Sequence, residues 1–358
     1  MARILQAAGE AAQRWTKTLG RAAGSADMLR LGFTLVVLMV SAPLWAQSEA
    51  AKRDDKPGPF GVAVVEDLRL MDKKRDKELR VRVTFPKAST PKPGSTGPAP
   101  APHAVIVWSH GMFGSKDAYM PLVEFWASHG FVVLQTSHRD SRAHGDLSAA
   151  QAGKAWNDRP RDVTFLIDSL GEIETKVPAL KGRIDKTRIG HGGHSFGAHT
   201  ATLIGGVKAN TFRESLSFRD KRVKCVFVCS GQGPGGLFTE KSFQSLEVPA
   251  FFLTGTKDVS PRNGHTPEWR EQAFKLSPKG DKYFVSIDGA HHGFGGITGK
   301  ARWAGSGPDN ADEVRIVKIA TLAFFEAFVR DVESAKAYLN SDAPSNAGEK
   351  TKIRYERK

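Results

Sequence analysis

Residues 190–199 read Gly-His-Gly-Gly-His-Ser-Phe-Gly-Ala-His, between an apolar strand-like run and a short helix-like run. A serine in a Gly-x-Ser-x-Gly turn between strand and helix is held above a sheet edge, and the flanking glycines let the two elements approach where side chains would collide. Gly193 and Gly197 supply that room, which makes Ser195 the candidate nucleophile.

Upstream, the apolar run Ala104–Trp108 stops at Ser-His-Gly-Met-Phe-Gly-Ser, residues 109–115. Acyl transfer places negative charge on a former carbonyl oxygen. Its usual stabiliser is a pair of backbone N–H groups, one following the nucleophile and one from the loop after an early strand. Here these are Phe196 and Met112. Downstream, the run from Val248 to Thr256 closes on Asp258, and Tyr283–Ala290 closes on His291-His292. Serine, acid and histidine therefore follow one another in chain order, each just past an apolar strand. In such a set the histidine takes the serine proton, and the acid fixes its tautomer and stabilises its charged form. Ser195, Asp258 and His292 are the expected catalytic residues, and Met112 and Phe196 the expected oxyanion-hole donors.

Over roughly residues 60 to 335 the chain resembles the α/β-hydrolase superfamily, in the branch of predicted dienelactone-hydrolase-like proteins, platelet-activating-factor acetylhydrolases and cutinase-like polyester hydrolases. The resemblance rests on Trp108–Ser115, Ala127–Val133, His138–Ser141, Gly193–Gly197 and Gly289–Phe294. It implies an α/β-hydrolase fold, ester hydrolysis, and the second histidine of Gly-Ala-His-His as the base. Acetylhydrolases of this type are expected to carry their acid after the strand that here is Val223–Cys229, but residues 230–236 hold no carboxylate, which favours Asp258 after the next strand. Position 195 is serine where dienelactone hydrolases use cysteine, so dienelactone cleavage is not implied.

Strand and helix patterns alternate along the chain, predicting an α/β fold: a mostly parallel central sheet with helices on both faces and an antiparallel edge hairpin. The hairpin pairs Gly61–Leu70 with Glu78–Phe85 around Lys73-Lys74-Arg75, read as a solvated turn. The Pro- and Ser-rich residues 86–102 read as a flexible loop. Helices are expected over Lys116–His129, from an Asn157 cap to about Leu170, and as one long element over Ala311–Leu339. The catalytic domain spans 60–339, and 340–358 reads as a polar, frayed tail. Between Cys229 and Val248 there is little room for a lid, and Met112, Phe113, Phe196, Leu237, Phe238 and Phe294 are candidates for an apolar acyl pocket.

Residues 1–46 read as an amino-terminal extension and signal peptide: Arg30 precedes the apolar segment Leu31–Ala46, and an uncleaved anchor is the alternative. Export to the periplasm or exterior follows. Cys225 and Cys229 stand four apart on one strand, about 13 Å at a strand's rise, too far to pair, and read as core residues. A net charge of +14 permits weak attraction to anionic surfaces. The positive residues are dispersed, with no zinc-finger spacing or aromatic-basic interleaving, so nucleic acid is not an expected partner. No His-Glu-x-x-His helix occurs, so neither a metal nor a cofactor is expected. The expected function is a serine hydrolase that cleaves short-acyl carboxylic esters through an acyl-enzyme intermediate, and the expected partner is a small-molecule or polymer-surface ester. Competing readings are a noncatalytic exported binding protein on the same scaffold, since a fold does not guarantee chemistry, and a serine peptidase.

Overall fold

The computed structural model describes residues 53–87, 102–260, 264–300 and 303–358. The amino-terminal extension with its signal-like segment, and nearly all of the Pro-rich loop, lie outside the described residues.

Strands β1 (Val62–Asp72) and β2 (Lys77–Pro86) form the antiparallel hairpin, with β3 (His103–Ser109) next in the chain. Helix α1 (Met120–Ser128) leads to β4 (Val132–Thr136), and α2 (Ala149–Gly153), α3 (Asp158–Asp168) and α4 (Leu170–Lys176) precede β5 (Ile184–His194). Helix α5 (Phe196–Gly205) is followed by a small hairpin, β6 (Ala209–Asn210) with β7 (Ser215–Leu216), then β8 (Val223–Cys229). The remaining elements are α6 (Glu240–Phe243), β9 (Ala250–Lys257), α7 (Pro267–Leu276), β10 (Lys282–His291), α8 (Ala311–Val329), α9 (Glu333–Leu339) and β11 (Ile353–Arg357).

Nine strands make one sheet in the order β1-β2-β4-β3-β5-β8-β9-β10-β11. Those from β4 to β10 run parallel, while β1, β2 and β11 pair antiparallel. Because successive side chains of a strand point to opposite faces, a sheet covered on both sides needs strands apolar at every position. Val105 and Val107 of β3 enter one core, with Val163 of α3, Leu203 of α5 and Phe274 of α7. Ile106 and Trp108 enter the other, with Trp126 of α1 and Phe324 of α8. Because the strands from β4 to β10 run parallel, their carboxyl ends lie together at one end of the sheet.

Four expectations need correction. The segment 340–358 is no frayed tail: β11 extends the sheet beyond β10, with Tyr283 opposite Arg357 and Ile287 opposite Ile353. Its alternation of polar and half-buried residues is that of an edge strand with one face in solvent. The carboxy-terminal helix is two helices, broken where Asp331 takes a left-handed φ of 63°. Asn157 makes no side-chain cap and is itself helical. Finally, the basic hairpin turn is not simply solvated, because Arg75 Nη1 reaches Asp162, 2.8 Å away on α3.

The edge strand makes a prediction. Removing residues 350–358 strips β10 of its partner, the Arg354 pair to Glu271 and the Tyr355 hydroxyl's bond to the Leu339 carbonyl. The truncated protein is expected to melt lower, on the order of 2–4 °C for each kcal/mol lost, and to self-associate through the bared edge. Thermal unfolding and gel filtration test this; an unchanged melting temperature contradicts it.

Candidate active site

The turn between β5 and α5 is tighter than any side chain at its glycines allows. A Cβ on Gly193 would lie 2.4 Å from the backbone carbonyl of Gly197, and one on Gly197 only 1.9 Å from the Ser109 carbonyl oxygen. Ser195 sits at the apex with φ 57° and ψ −115°, a conformation that non-glycine residues rarely hold without support from the surrounding structure. Its N–H donates to the Cys229 carbonyl at 2.9 Å, tying the turn to the end of β8.

Three strand ends bring Ser195, His292 and Asp258 together. Ser195 Oγ is 3.0 Å from His292 Nε2, and His292 Nδ1 is 2.7 Å from Asp258 Oδ1. His291 ends β10 with its side chain against Gly307 instead. Asp258 is fully buried. Burial alone pushes its carboxyl pKa up, but the Arg270 guanidinium and hydrogen bonds from His292 and Ser230 outweigh that and hold it well below the ordinary range. Arg270, on α7, spans the acid loop: Nε lies 3.2 Å from Asp258 Oδ1, and Nη1 donates to the carbonyls of Ser230 and Gly231, each at 3.0 Å. Thr254 Oγ1 donates to Asp258 Oδ2 at 2.9 Å.

The expected oxyanion-hole donors, Met112 and Phe196, come from two different segments. Phe196 opens α5, directly after Ser195, and Gly111 packs so close that a Cβ there would lie 3.5 Å from Ser195 Cβ. Behind this loop lies a buried charge network. Arg159 pairs with Asp140 through Nε at 2.7 Å and Nη2 at 2.6 Å, both side chains wholly buried. His138 Nδ1 faces Asp162 at 2.9 Å and its Nε2 faces Ser109 Oγ at 3.1 Å. Burial, then the Arg159 charge, pushes the His110 and His138 pKa values well below the ordinary histidine range.

A second relay joins the loop to the candidate base. The Gly111 N–H donates to Tyr119 Oη at 3.1 Å, the Tyr119 hydroxyl meets His194 Nδ1 at 2.9 Å, and His194 Nε2 meets the His292 carbonyl at 2.8 Å. A carbonyl only accepts, so His194 carries its proton on Nε2 and accepts from Tyr119 at Nδ1. Of the six apolar pocket candidates, Phe294 is buried edge-on against His194, and Phe238 is buried and stacked on His199 at 4.6 Å. These two are packing residues. Met112, Phe113 and Leu237 stay partly exposed.

The family model described as platelet-activating factor acetylhydrolase, isoform II, matches residues 90–165. That stretch carries the 109–115 loop, Asp140 and Arg159, and ends before Ser195. Curated relatives are platelet-activating factor acetylhydrolases from Bos taurus (26% identical, over 45% of this chain and 42% of the relative), Canis lupus familiaris (24%, over 53% and 47%) and Cavia porcellus (23%, over 63% and 58%). The chain has an α/β-hydrolase fold and is similar to platelet-activating factor acetylhydrolases. Its match spans about half the length of those relatives.

Several residues around this site were given no role by the sequence. Arg159, Tyr119, Ser230 and Arg270 belong to no short motif, Asp140 sits in the His138–Ser141 stretch without a role assigned from it, and burial gives all five their roles. Trp303 is 39% exposed, with its ring edge-on to His292 at 6.3 Å. A solitary tryptophan in a Gly-rich stretch was the available signal.

The depressed Asp140 pKa sets a sign. Burial raises it, but Arg159 overrides burial and lowers it, so the stability it contributes is complete above the ordinary carboxylate range and is lost as pH falls from about 4 toward its lower folded value. Asp140→Asn leaves Arg159 buried and unpaired, at a cost of about 3–5 kcal/mol near neutrality. The stability gap between wild type and variant is expected to narrow on acidification. Urea unfolding at a series of pH values checks this, and a gap that widens in acid contradicts it.

Proposed function

We propose that this protein is a serine hydrolase of carboxylic esters with a short acyl group, working through Ser195, His292 and Asp258 and an acyl-enzyme intermediate. The observation that carries the reading is the unbroken chain from Ser195 Oγ through His292 to the buried Asp258, at 3.0 and 2.7 Å, built on a strained turn. The acetylhydrolase name of the curated relatives supports a short acyl group.

Ser195 Oγ attacks the ester carbonyl carbon while its proton passes to His292 Nε2, giving a tetrahedral oxyanion and an imidazolium balanced by the Asp258 carboxylate. The oxyanion is received by the N–H groups of Met112 and Phe196. As the carbonyl reforms, the alkoxide leaves and takes the His292 proton, and an acyl-serine remains. Water then adds to the acyl carbon, giving its proton to His292. Collapse releases the carboxylic acid and returns the proton to Ser195 Oγ. The charged intermediate forms beside groups already fixed, so little reorganisation accompanies the step.

Ser195→Ala and His292→Ala are each expected to lower kcat on a short-chain nitrophenyl ester by about 10⁴- to 10⁶-fold with the fold intact. Ser195→Ala is also expected to abolish fluorophosphonate labelling. Retention of more than about a tenth of wild-type activity by either variant rejects the assignment. Labelling without turnover of any ester in a graded acyl series favours the peptidase alternative, and neither labelling nor turnover favours a binding protein.

Export is part of the same reading. It rests on Arg30 and the apolar run Leu31–Ala46, and among the described residues no helix is long and apolar enough to cross a membrane. Amino-terminal sequencing of the protein recovered outside the cytoplasm is expected to begin after Ala46 or Ala50. A protein retained inside with residues 1–46 intact contradicts export.

A further inference from the structure

Five backbone groups of the 110–114 loop are held by hydrogen bonds. Gly111 N–H donates to Tyr119 at 3.1 Å, Phe113 N–H to Asp140 Oδ2 at 3.3 Å, and Gly114 N–H to the Gly111 carbonyl at 3.0 Å. Arg159 Nη1 donates to the His110 carbonyl at 2.6 Å and Nη2 to the Gly111 carbonyl at 3.2 Å. The Gly111 carbonyl also accepts from His110 Nδ1 at 2.6 Å, whose proton is placed there because Nε2 accepts from the His138 N–H at 3.0 Å. By contrast, Met112 N–H donates to no protein group among the described residues.

In a trans peptide the C=O and N–H point to opposite edges of one plane. The carbonyl oxygen of the Gly111–Met112 peptide is pinned by a cation and an imidazole, so the plane is fixed with the Met112 N–H on the opposite edge. A positive charge at the oxygen end also draws electron density along the amide and strengthens its N–H as a donor, as in chained hydrogen bonds. The same guanidinium packs over the Phe196 ring, its Cζ 4.4 Å from the ring centre, and so touches the residue carrying the second donor.

We propose that Arg159 is the positioning residue of the oxyanion hole: held by Asp140, it orients and polarises the Gly111–Met112 peptide so that the Met112 N–H is a preset, strengthened donor to the developing oxyanion. This rests on the esterase reading above. It assigns Arg159 no contact with substrate. Its influence therefore falls on the tetrahedral state, where the oxyanion exists, and hardly on the ground-state ester.

The test compares wild type, Arg159→Met, Arg159→Lys and Asp140→Asn in full-length protein, with functional sites counted by fluorophosphonate labelling run to completion. Turnover of nitrophenyl acetate and inhibition by an alkyl boronic acid, which forms a tetrahedral adduct on serine, are measured for each. Arg159→Met is expected to lower kcat per labelled site by about 10²- to 10³-fold, the range for loss of one oxyanion donor, with KM little changed. Boronate affinity is expected to weaken in parallel. Arg159→Lys keeps the charge but not the planar fork, and recovers part of both. Should Arg159→Met fail to fold, Asp140→Asn carries the comparison, with kcat and boronate affinity again falling together while KM holds. Unchanged kcat per labelled site and unchanged boronate affinity, with loss confined to melting temperature, overturn the positioning role and leave the esterase reading standing. A wild type that neither labels nor turns over ester overturns both.

Discussion

The close approach of Gly197 to the carbonyl of Ser109, where even a methyl group would sit 1.9 Å from oxygen, joins the end of β3 to the start of α5 in one packed unit. Backbone against backbone is the stiffest contact a protein interior makes, because neither side has a rotamer through which to yield. The turn carrying Ser195 and the loop carrying Met112 therefore keep one relative geometry. Strain at Ser195 is borne by this contact and by the Cys229 carbonyl that receives its N–H. Loosening the contact would relax the serine and misplace the loop at once.

Buried charge then refines what backbone packing fixes. Two arginines serve two loops in the same manner: Arg159 holds the carbonyls of His110 and Gly111, and Arg270 those of Ser230 and Gly231. Each also neutralises one buried carboxylate, Asp140 or Asp258. A buried ion pair is weak evidence for stability, since desolvation offsets its attraction, whereas a planar fork that engages carbonyls and a carboxylate together determines loop conformation. The polar groups on this side of the sheet thus serve geometry more than stability.

What was legible in the sequence follows from what is local. The apolar runs of β3, β8 and β9 and the Gly-x-Ser-x-Gly turn are carried by consecutive residues, and the fold class and the neighbourhood of Ser195, Asp258 and His292 could be read from them. β11 was missed because an edge strand buries only one face, so Ile353–Arg357 looks like any charged tail. The break at Asp331 was missed because apolar spacing runs through it, and a single left-handed residue leaves no periodic trace. Arg159 lies 49 residues from the His110 carbonyl it grips, and nothing in Asn-Asp-Arg-Pro separates a buried guanidinium from a solvated one. Long-range polar partnership has no sequence period.

Ser230 shows how Asp258 reaches His292 from one strand further along. It follows β8, takes a left-handed φ of 53°, and places Oγ 2.9 Å from His292 Nδ1, while Asp258 Oδ1 reaches the same nitrogen at 2.7 Å from beyond β9. One N–H cannot serve two acceptors fully, and the charged, nearer carboxylate takes the larger share. The Ser230 hydroxyl proton is then available to Asp258, where its hydrogen bond helps hold the carboxyl pKa down. Ser230 thus fills the space between strand ends that the longer reach of Asp258 leaves open. With a hydroxyl there and Arg270 behind it, the carboxylate stays charged in a site that burial alone would neutralise, and His292 keeps one tautomer, with Nε2 turned to Ser195.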